Sequence, residues 1–284
     1  MWSVSSVSTT SGCFDLVRNF YRLQLESSSK HGTLQKLAVS AIVAAYQDYR
    51  DVWINSMPCL PRDLRQEICK LLMCKGILDN DLFSLCVDPN RKVWDLRTIL
   101  HNFTSESCTI LSQCKSLELL RLSHPSCSSE ALGKMLQNLT KLRLLEVTNT
   151  EGMNDEALEV VASHCPNLEV LNVQGTAVTD KGMMALKTHA VKLKELDINN
   201  TNISRVGVDY LTSGPMKETL KLLHFRYCPM LGTGKAIRHI VSSFPNVKDY
   251  SFDFAEGEDQ AEIVETLNQF PGPTPGHLSF NIPF

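Results

Sequence analysis

The sequence lacks the features that mark secreted, membrane-spanning and nucleic-acid-binding proteins. Its N-terminus, Met1–Ser6, has no basic region leading into an apolar one, so we expect no secretory signal. No apolar run approaches the roughly 18 residues of a membrane-spanning helix. A formal net charge of −3 supplies no excess of basic residues for neutralising phosphates. We therefore expect a cytoplasmic or nuclear protein that binds neither nucleic acid nor membranes.

Zinc-binding and disulfide patterns are missing as well, although ten cysteines are present. No CxxC pair occurs, and no group of Cys and His has the spacing of a structural zinc site. Without a secretory signal, a disulfide framework is not expected. The cysteines are predicted to be reduced thiols, mostly buried as small apolar side chains.

Catalytic sequence patterns are equally absent. No P-loop, GxGxxG, HExxH or GxSxG pattern occurs, and the histidines fall at different positions along the chain's repeat. Cys165, which precedes Pro166, is predicted to be a core residue and not a redox centre. We expect no enzymatic activity, no cofactor and no metal.

What the sequence does contain is an internal repeat of the form LxxLxL, first clearly seen in Leu117, Leu120 and Leu122. Copies begin at residues 117, 142, 168, 193, 220 and 247, separated by 25 to 27 residues, and a degenerate copy would begin at Arg91. This period is typical of a leucine-rich repeat with one strand and one helix in each copy. The predicted fold is α/β, a horseshoe-shaped leucine-rich repeat solenoid of about seven repeats with an N-terminal helical cap.

The repeat divides the chain into four predicted regions. Residues 1–13 form a disordered N-terminus, 14–87 a helical cap or adaptor-docking region, 88–254 the repeats, and 255–284 a C-terminal cap and tail. The last residues, 278–284, alternate apolar and polar side chains. They either cross the inner face of the solenoid as an extra strand or stay disordered.

The stretch after each strand carries helical spacing of apolar residues. Asn154 or Asp155 is predicted to cap one of these helices, and Thr179 or Asp180 the next.

Alternation along each strand predicts which side chains point outward on the concave sheet. One outward column is mostly apolar, and the columns beside it are polar with charges of both signs, a composition that suits protein binding. The predicted partner-binding residues are Leu119, Arg121, Leu144, Glu146, Val170, Asn172, Gln174, Asp197, Asn199, Leu222, His224, Arg226 and Tyr227.

Two segments carry a resemblance to a specific repeat subtype. Val178–Gly182 followed by an apolar helix, and His164–Leu168 at the start of the next strand, resemble the cysteine-containing leucine-rich repeat. That subtype is typical of F-box/LRR proteins and of the antagonist-of-mitotic-exit-network family. Leu60–Ile68, Lys75–Asn80 and Trp94–Arg97 are similar to the latter family's entry into its repeats.

The resemblance covers about residues 55 to 254, with one departure. Thr150, Thr176 and Thr201 stand where the subtype has Cys.

The N-terminal region resembles docking elements of ubiquitin ligases. Thr33–Ile42 followed by Leu60–Leu64 looks like an elongin-binding box with a cullin box, in which an apolar helix enters an adaptor groove. The stretch from Leu60 to Trp94 also resembles a shortened F-box. A cap that shields the first repeat is a further interpretation, compatible with docking. The predicted docking residues are Leu34, Leu37, Ala38, Ile42, Leu60, Pro61, Leu64 and Ile68.

These resemblances imply a substrate-recognition subunit of a cullin-RING ubiquitin ligase, SCF-like or elongin-linked. The expected partners are a protein substrate on the concave face, elongin or the F-box-binding adaptor, and a cullin. The alternative is a regulatory scaffold that binds a cell-cycle or signalling protein without ligase attachment.

Overall fold

The computed structural model describes residues 51, 54, 55, 57–61, 65, 66, 68, 69, 72, 79–97, 103–229, 231 and 233–253, and the backbone of 278–281. The chain divides into two compact units, 1–87 and 88–284. No helix in the described part of the chain is long and apolar enough to cross a membrane. The predicted disordered segment 1–13 lies outside the described residues.

The N-terminal unit contains a short 3-10 helix at Met57–Cys59 and an α-helix, α1, at Asn80–Cys86. Asp79 is the N-cap of α1, and its Oδ1 accepts a hydrogen bond from the Leu82 backbone N at 3.0 Å. This bond satisfies one of the N–H groups that a helix start leaves unpaired. The buried apolar side chains of the unit are Met57, Leu60, Ile68, Cys69, Leu72, Leu82, Phe83 and Cys86.

Cys69 and Cys86 lie side by side inside this unit, with their Cα atoms 6.1 Å apart. Folding brings together two buried side chains that are 17 residues apart in sequence. The expectation of reduced thiols stays a prediction for this pair. Among the other described cysteines, Cys59 is exposed and five are free and buried.

The second unit is built around an eight-stranded parallel sheet whose strands follow one another in chain order. The strands are β1 (Val93–Leu96), β2 (Leu119–Ser123), β3 (Leu144–Thr148), β4 (Val170–Asn172), β5 (Glu195–Asp197), β6 (Leu222–His224), β7 (Asp249–Asp253) and β8 (Leu278–Asn281). Strands β1–β7 are the seven repeat strands expected from the sequence. The predicted α/β leucine-rich repeat solenoid is confirmed.

Helices connect the repeat strands, and α3, α4, α5, α6 and α8 begin at residues whose side chains cap them. They are α2 (Ser105–Leu111), α3 (Ser129–Asn138), α4 (Asp155–His164), α5 (Asp180–His189), α6 (Arg205–Thr212), α7 (Met216–Thr219) and α8 (Gly234–Ser243). Asn154 and Thr179 are the N-caps of α4 and α5, and each side chain accepts a backbone N–H of the first turn. Asp155 and Asp180 are therefore the first helical residues, which leaves their carboxylates available for another role.

The second position of the repeat pattern forms the middle of the core. Leu120, Leu145, Leu171, Leu196 and Leu223 lie in register on five adjacent strands and are each at most 1% exposed. Burying one such side chain contributes about 1.5–3 kcal/mol. A single repeat buries too few to fold alone, so the repeats must stack.

Threonine replaces cysteine in three repeats without leaving a buried hydroxyl unpaired. Thr176 and Thr201 donate to the carbonyl oxygens of Val173 and Ile198, each at 2.6 Å. One repeat further on, the Cys228 Sγ donates to the same Ile198 oxygen at 3.2 Å. Because either side chain reaches a carbonyl here, this departure from the cysteine subtype is compatible with the fold.

Two aspartates tie successive repeats together, and we call these contacts the carboxylate clamps. In the first clamp, Asp155 Oδ1 accepts the backbone N–H groups of Thr179 (2.8 Å) and Gly182 (3.0 Å), and Oδ2 accepts the Thr179 hydroxyl (2.6 Å). Asp180 makes the same three bonds one repeat later, to Ser204 and Gly207. Each clamp therefore fixes the start of one helix to the helix before it.

The C-terminal tail adds a strand at the edge of the sheet. Strand β8 pairs in parallel with β7, with Tyr250 opposite Leu278 and Asp253 opposite Asn281. An extra strand was one of the two expected outcomes, but a course across the inner face is wrong. The edge position is favoured because β7 otherwise presents unpaired backbone N–H and C=O groups on its outer side.

Cys165 should react with iodoacetamide far more slowly than Cys59. Burial raises the pKa of the Cys165 thiol to about 12, and the side chain is 4% exposed, whereas Cys59 is exposed. At pH 8 roughly one Cys165 in ten thousand is then the reactive thiolate. Timed labelling followed by peptide mass spectrometry measures both rates, with the urea-unfolded chain as the control in which the rates converge. Equal rates in the folded chain would contradict a core position for Cys165.

Candidate protein-interaction face

The outward-pointing side chains of β1–β7 form a continuous surface, which we call the strand face. In β2 and β3 these side chains are half-buried and alternate with buried core residues. The first column of the face is mostly apolar, and Val93 at its start is 46% exposed. Its members, aligned by strand register, are Val93, Leu119, Leu144, Val170, Glu195, Leu222 and Asp249.

The second column lies two residues further along each strand than the first, from Asp95 on β1 to His224 on β6 and Ser251 on β7. It begins with a chain of ion pairs. Arg121 Nε lies 2.6 Å from Glu146 Oε2, and Arg121 Nη1 lies 3.7 Å from Asp95 Oδ2. Arg97 Nη2 lies 2.7 Å from the same Asp95 oxygen. The hydrogen bonds from Arg97 hold the pKa of Asp95 below its ordinary value, against the opposing effect of partial burial. These charged side chains are therefore held in position by one another.

In the middle of the column, Asp197 is the shared partner of two neighbouring repeats. Its Oδ2 accepts a hydrogen bond from Asn172 Nδ2 at 3.4 Å and lies 3.6 Å from His224 Nδ1. Its Oδ1 accepts the Asn199 backbone N–H at 3.0 Å. The polar side chains of three consecutive repeats are thus linked across the face.

Arg226 and Tyr227 lie at the end of the face nearest β7. The Asn199 Oδ1 accepts the Arg226 backbone N–H, and Asp253 Oδ2 accepts the Tyr227 backbone N–H at 3.0 Å. Arg226 Nε lies 3.8 Å from Asp253 Oδ1. Tyr227 is 60% exposed, so an aromatic ring projects from a backbone that hydrogen bonds hold in place.

Tyr227 belongs to a periodic set of left-handed backbone positions that the sequence analysis missed. Each follows a repeat strand, and the members are His124, Asn149, Gly175, Asn200 and Tyr227, with φ between 52° and 66°. Asparagine and glycine adopt this conformation readily, whereas a bulky aromatic residue adopts it at a cost. The 25- to 27-residue spacing of Asn and Gly after each strand is the signal that could have revealed it.

The structure places the predicted partner-binding residues together on the strand face. The predicted docking residues that it describes differ in how exposed they are. The thirteen partner-binding residues all lie in or directly after β2–β6. Of the docking residues, Leu60 and Ile68 are buried and Pro61 is exposed. The others lie outside the described residues, namely Leu34, Leu37, Ala38, Ile42 and Leu64. The binding roles of both sets stay predictions.

No cluster of three or more His, Cys, Asp or Glu side chains that could hold a metal ion occurs among the described residues.

A family model for the leucine-rich repeat matches residues 164–187. Several solved structures are similar at low identity. The tropomodulin C-terminal domain of Caenorhabditis elegans is 14% identical, with 50% of this chain and 92% of that one covered and a TM-score of 0.38. An internalin of Listeria monocytogenes is 16% identical, with coverage of 68% and 54% and a TM-score of 0.38. A chain from the Rad7 and Elc1 complex of yeast is 13% identical, with coverage of 96% and 92% and a TM-score of 0.33.

The matched segment runs from the last residue of α4 through β4 into α5. It covers one repeat strand and most of the helix that follows it, about one of the six strand-and-helix periods among the described residues. The chain therefore has the fold of a leucine-rich repeat solenoid, and one of its repeats matches the family model.

Proposed function

We propose that this chain binds a protein substrate on the strand face and presents it to a cullin-RING ubiquitin ligase, acting by binding and not by catalysis of its own. The observation that supports binding is the strand face itself, where an apolar column runs beside polar side chains ordered by ion pairs. Fixed polar groups next to apolar surface are typical of protein interfaces. Arg226 and Tyr227 are of the residue types that most often dominate binding energy.

The ligase part of the proposal is supported by the resemblance of the N-terminal region to adaptor-binding boxes. We propose that elongin or the F-box-binding adaptor docks on Thr33–Ile42 and the segment that begins at Leu60–Pro61, and that a cullin joins through it. Pro61 is exposed at the start of that segment.

A second candidate function is a scaffold for a cell-cycle or signalling protein without ligase attachment. One observation favours it: Leu60 and Ile68, two of the predicted docking residues, are only 8% and 2% exposed. Side chains buried inside the N-terminal unit stabilise that unit and offer little surface to an adaptor.

Paired variants of the full chain separate adaptor docking from substrate binding. We expect Leu34→Ala with Leu64→Ala to reduce recovered adaptor and cullin about tenfold in a native pull-down while the substrate is retained. Leu144→Glu with Leu222→Glu should give the reverse result, because two charges interrupt the apolar column. Quantitative mass spectrometry of the co-purified proteins measures both losses.

The matched control places the same charges on the helical surface. Met184→Glu with Val206→Glu changes two side chains that are 56% and 52% exposed and should leave both sets of partners unchanged. If the unsubstituted chain recovers neither elongin nor the F-box-binding adaptor, the ligase proposal is excluded. A substrate whose abundance does not rise when the proteasome is inhibited would favour the scaffold.

A further inference from the structure

Basic residues are concentrated in the connections that lead from each helix into the next repeat strand. We call these seven connections the basic edge: residues 88–92, 112–118, 139–143, 165–169, 190–194, 213–221 and 244–248. They contain ten Lys or Arg and four Asp or Glu, a net charge of +6. The other residues between 88 and 253 contain nine Lys or Arg and fourteen Asp or Glu, a net charge of −5. Charge is therefore segregated within residues 88–253, whose net charge is only +1.

Parallel pairing brings the basic edge together, because all seven strands start on the same side of the sheet. Lys194, Lys221 and Lys248 occupy the same position in three adjacent repeats. The Lys221 N–H donates to the Lys194 carbonyl at 2.7 Å, and the Lys248 N–H donates to the Lys221 carbonyl at 2.8 Å. Adjacent strands are about 4.8 Å apart, so three like charges are close neighbours, an unfavourable arrangement without a counter-charge.

Acidic side chains form ion pairs with three basic residues of the edge, Lys92, Arg143 and Lys194. Lys92 lies 2.8 Å from Glu118, while Glu169 lies 2.7 Å from Arg143 and 2.6 Å from Lys194.

Toward the C-terminal end this compensation stops. Lys192 donates to the amide oxygen of Asn167 at 2.7 Å. Within the described residues, no ion pair joins Lys192, Lys221 or Lys248 to an acidic side chain, and all three lysines are exposed. Lys115 and Lys141, nearer the N-terminal end, are also exposed and have no ion pair among the described residues. Before β5, β6 and β7, however, such lysines occur in three adjacent repeats.

The first column of the strand face begins one residue further along each strand, with apolar side chains on β4 and β6 and the acidic Glu195 and Asp249 on β5 and β7. Leu222 directly follows Lys221 and is half-buried, as is Val170 two strands away. A nucleic-acid backbone would use only the lysines, and it would meet Glu118, Glu169 and Glu218 along the same edge. A peptide that carries both carboxylates and apolar side chains satisfies both parts of this surface.

We propose that the basic edge binds an extended acidic segment of a partner protein. Its carboxylates pair with Lys192, Lys221 and Lys248, and its apolar side chains contact Val170 and Leu222. These contacts lie beside β4–β7, which span about 14 Å, so an extended segment of roughly nine residues covers them with residues to spare. The inference holds for a ligase subunit and for a scaffold alike, so it does not depend on the proposed function.

Fluorescence anisotropy tests the proposal with a labelled nine-residue peptide in which glutamates alternate with leucine and serine. We expect the full chain to bind it, and Lys192→Gln, Lys221→Gln and Lys248→Gln together to weaken binding about tenfold, since each exposed ion pair contributes roughly two- to threefold. The matched control is Lys134→Gln, Lys181→Gln and Lys235→Gln, which removes the same charge from exposed helix positions. It should change the dissociation constant less than about twofold.

Both triple variants should have the same unfolding temperature as the wild-type protein, which shows that the comparison is between folded proteins. Equal losses in the two variants would overturn the proposal, because binding would then follow net charge and not position. Equal affinity for the same peptide with lysine in place of glutamate would also overturn it. Tighter binding of a labelled single-stranded oligonucleotide, or of phosphatidylserine vesicles, with the same sensitivity to the lysine variants would assign the edge to a different class of partner.

Discussion

Asp180→Ala is expected to lower the free energy of unfolding by about 2–4 kcal/mol. The substitution removes the second carboxylate clamp, in which Asp180 accepts two backbone N–H groups and one hydroxyl from Ser204 and Gly207. Gly207 is buried and Ser204 half-buried, so water replaces these bonds incompletely. A polar group left unpaired in such a place costs about 1–3 kcal/mol. Urea denaturation followed by circular dichroism measures the change.

Two further variants show whether the clamp geometry is responsible. Asp180→Asn keeps an oxygen for the two N–H groups and should recover about half of the loss. Asp209→Ala removes an exposed carboxylate from α6, where Asp209 Oδ1 lies 2.6 Å from His239 Nε2, and should cost less than about 1 kcal/mol. An Asp180→Ala protein as stable as the Asp209→Ala protein would show that the clamp does not join the repeats energetically.

Gly152→Ala is expected to destabilise the protein by about 2–3 kcal/mol. A Cβ at residue 152 would overlap the backbone carbonyl oxygen of Cys127 and lie 3.3 Å from the carbonyl carbon of Ser128. Both atoms belong to the main chain of the preceding repeat. They can move only if two repeats separate, whereas a flexible side chain would rotate away. Differential scanning calorimetry should show a lower unfolding temperature.

Gly133→Ala is the matched control, and its effect should have the opposite sign. Gly133 lies inside α3, and its added Cβ would lie 3.7 Å from Val160 Cγ2, an ordinary contact distance. Alanine in a helix interior is about 0.5–1 kcal/mol more favourable than glycine. A destabilised Gly133→Ala protein, or an unchanged Gly152→Ala protein, would contradict the repeat spacing described above.

Which residues lie on the strand face could largely be predicted from the repeat. Arg121, Glu146 and Asn172 occupy the same position in three copies, and strand register places them side by side. The prediction succeeds because parallel strands of equal period align equal positions, so one correct copy fixes the others. The same argument gave Asn154 and Thr179 as candidate caps.

Contacts between residues at different positions of the repeat could not be predicted in this way. The carboxylate clamp joins Asp155 to Gly182, and the sheet edge joins Tyr250 to Leu278. The two members of each pair occupy different repeat positions, so aligning the copies does not show that they meet, although the clamp itself recurs one repeat later at Asp180 and Gly207. Leu60 and Ile68 show the same limit, since apolar residues suit an adaptor groove and a buried core equally well.

The period of 25 to 27 residues alone dictates seven parallel strands with a helix between each pair, because an amphipathic repeat buries its apolar residues only by stacking on its neighbours. Tertiary structure decided which side chains and strands meet: the clamps, the ion pairs at Arg121, the contact between Cys69 and Cys86, and the edge position of β8. Hydrogen bonds and ion pairs depend on distances of about 3 Å between particular atoms. A linear pattern of residue types carries the stacking order but not those distances.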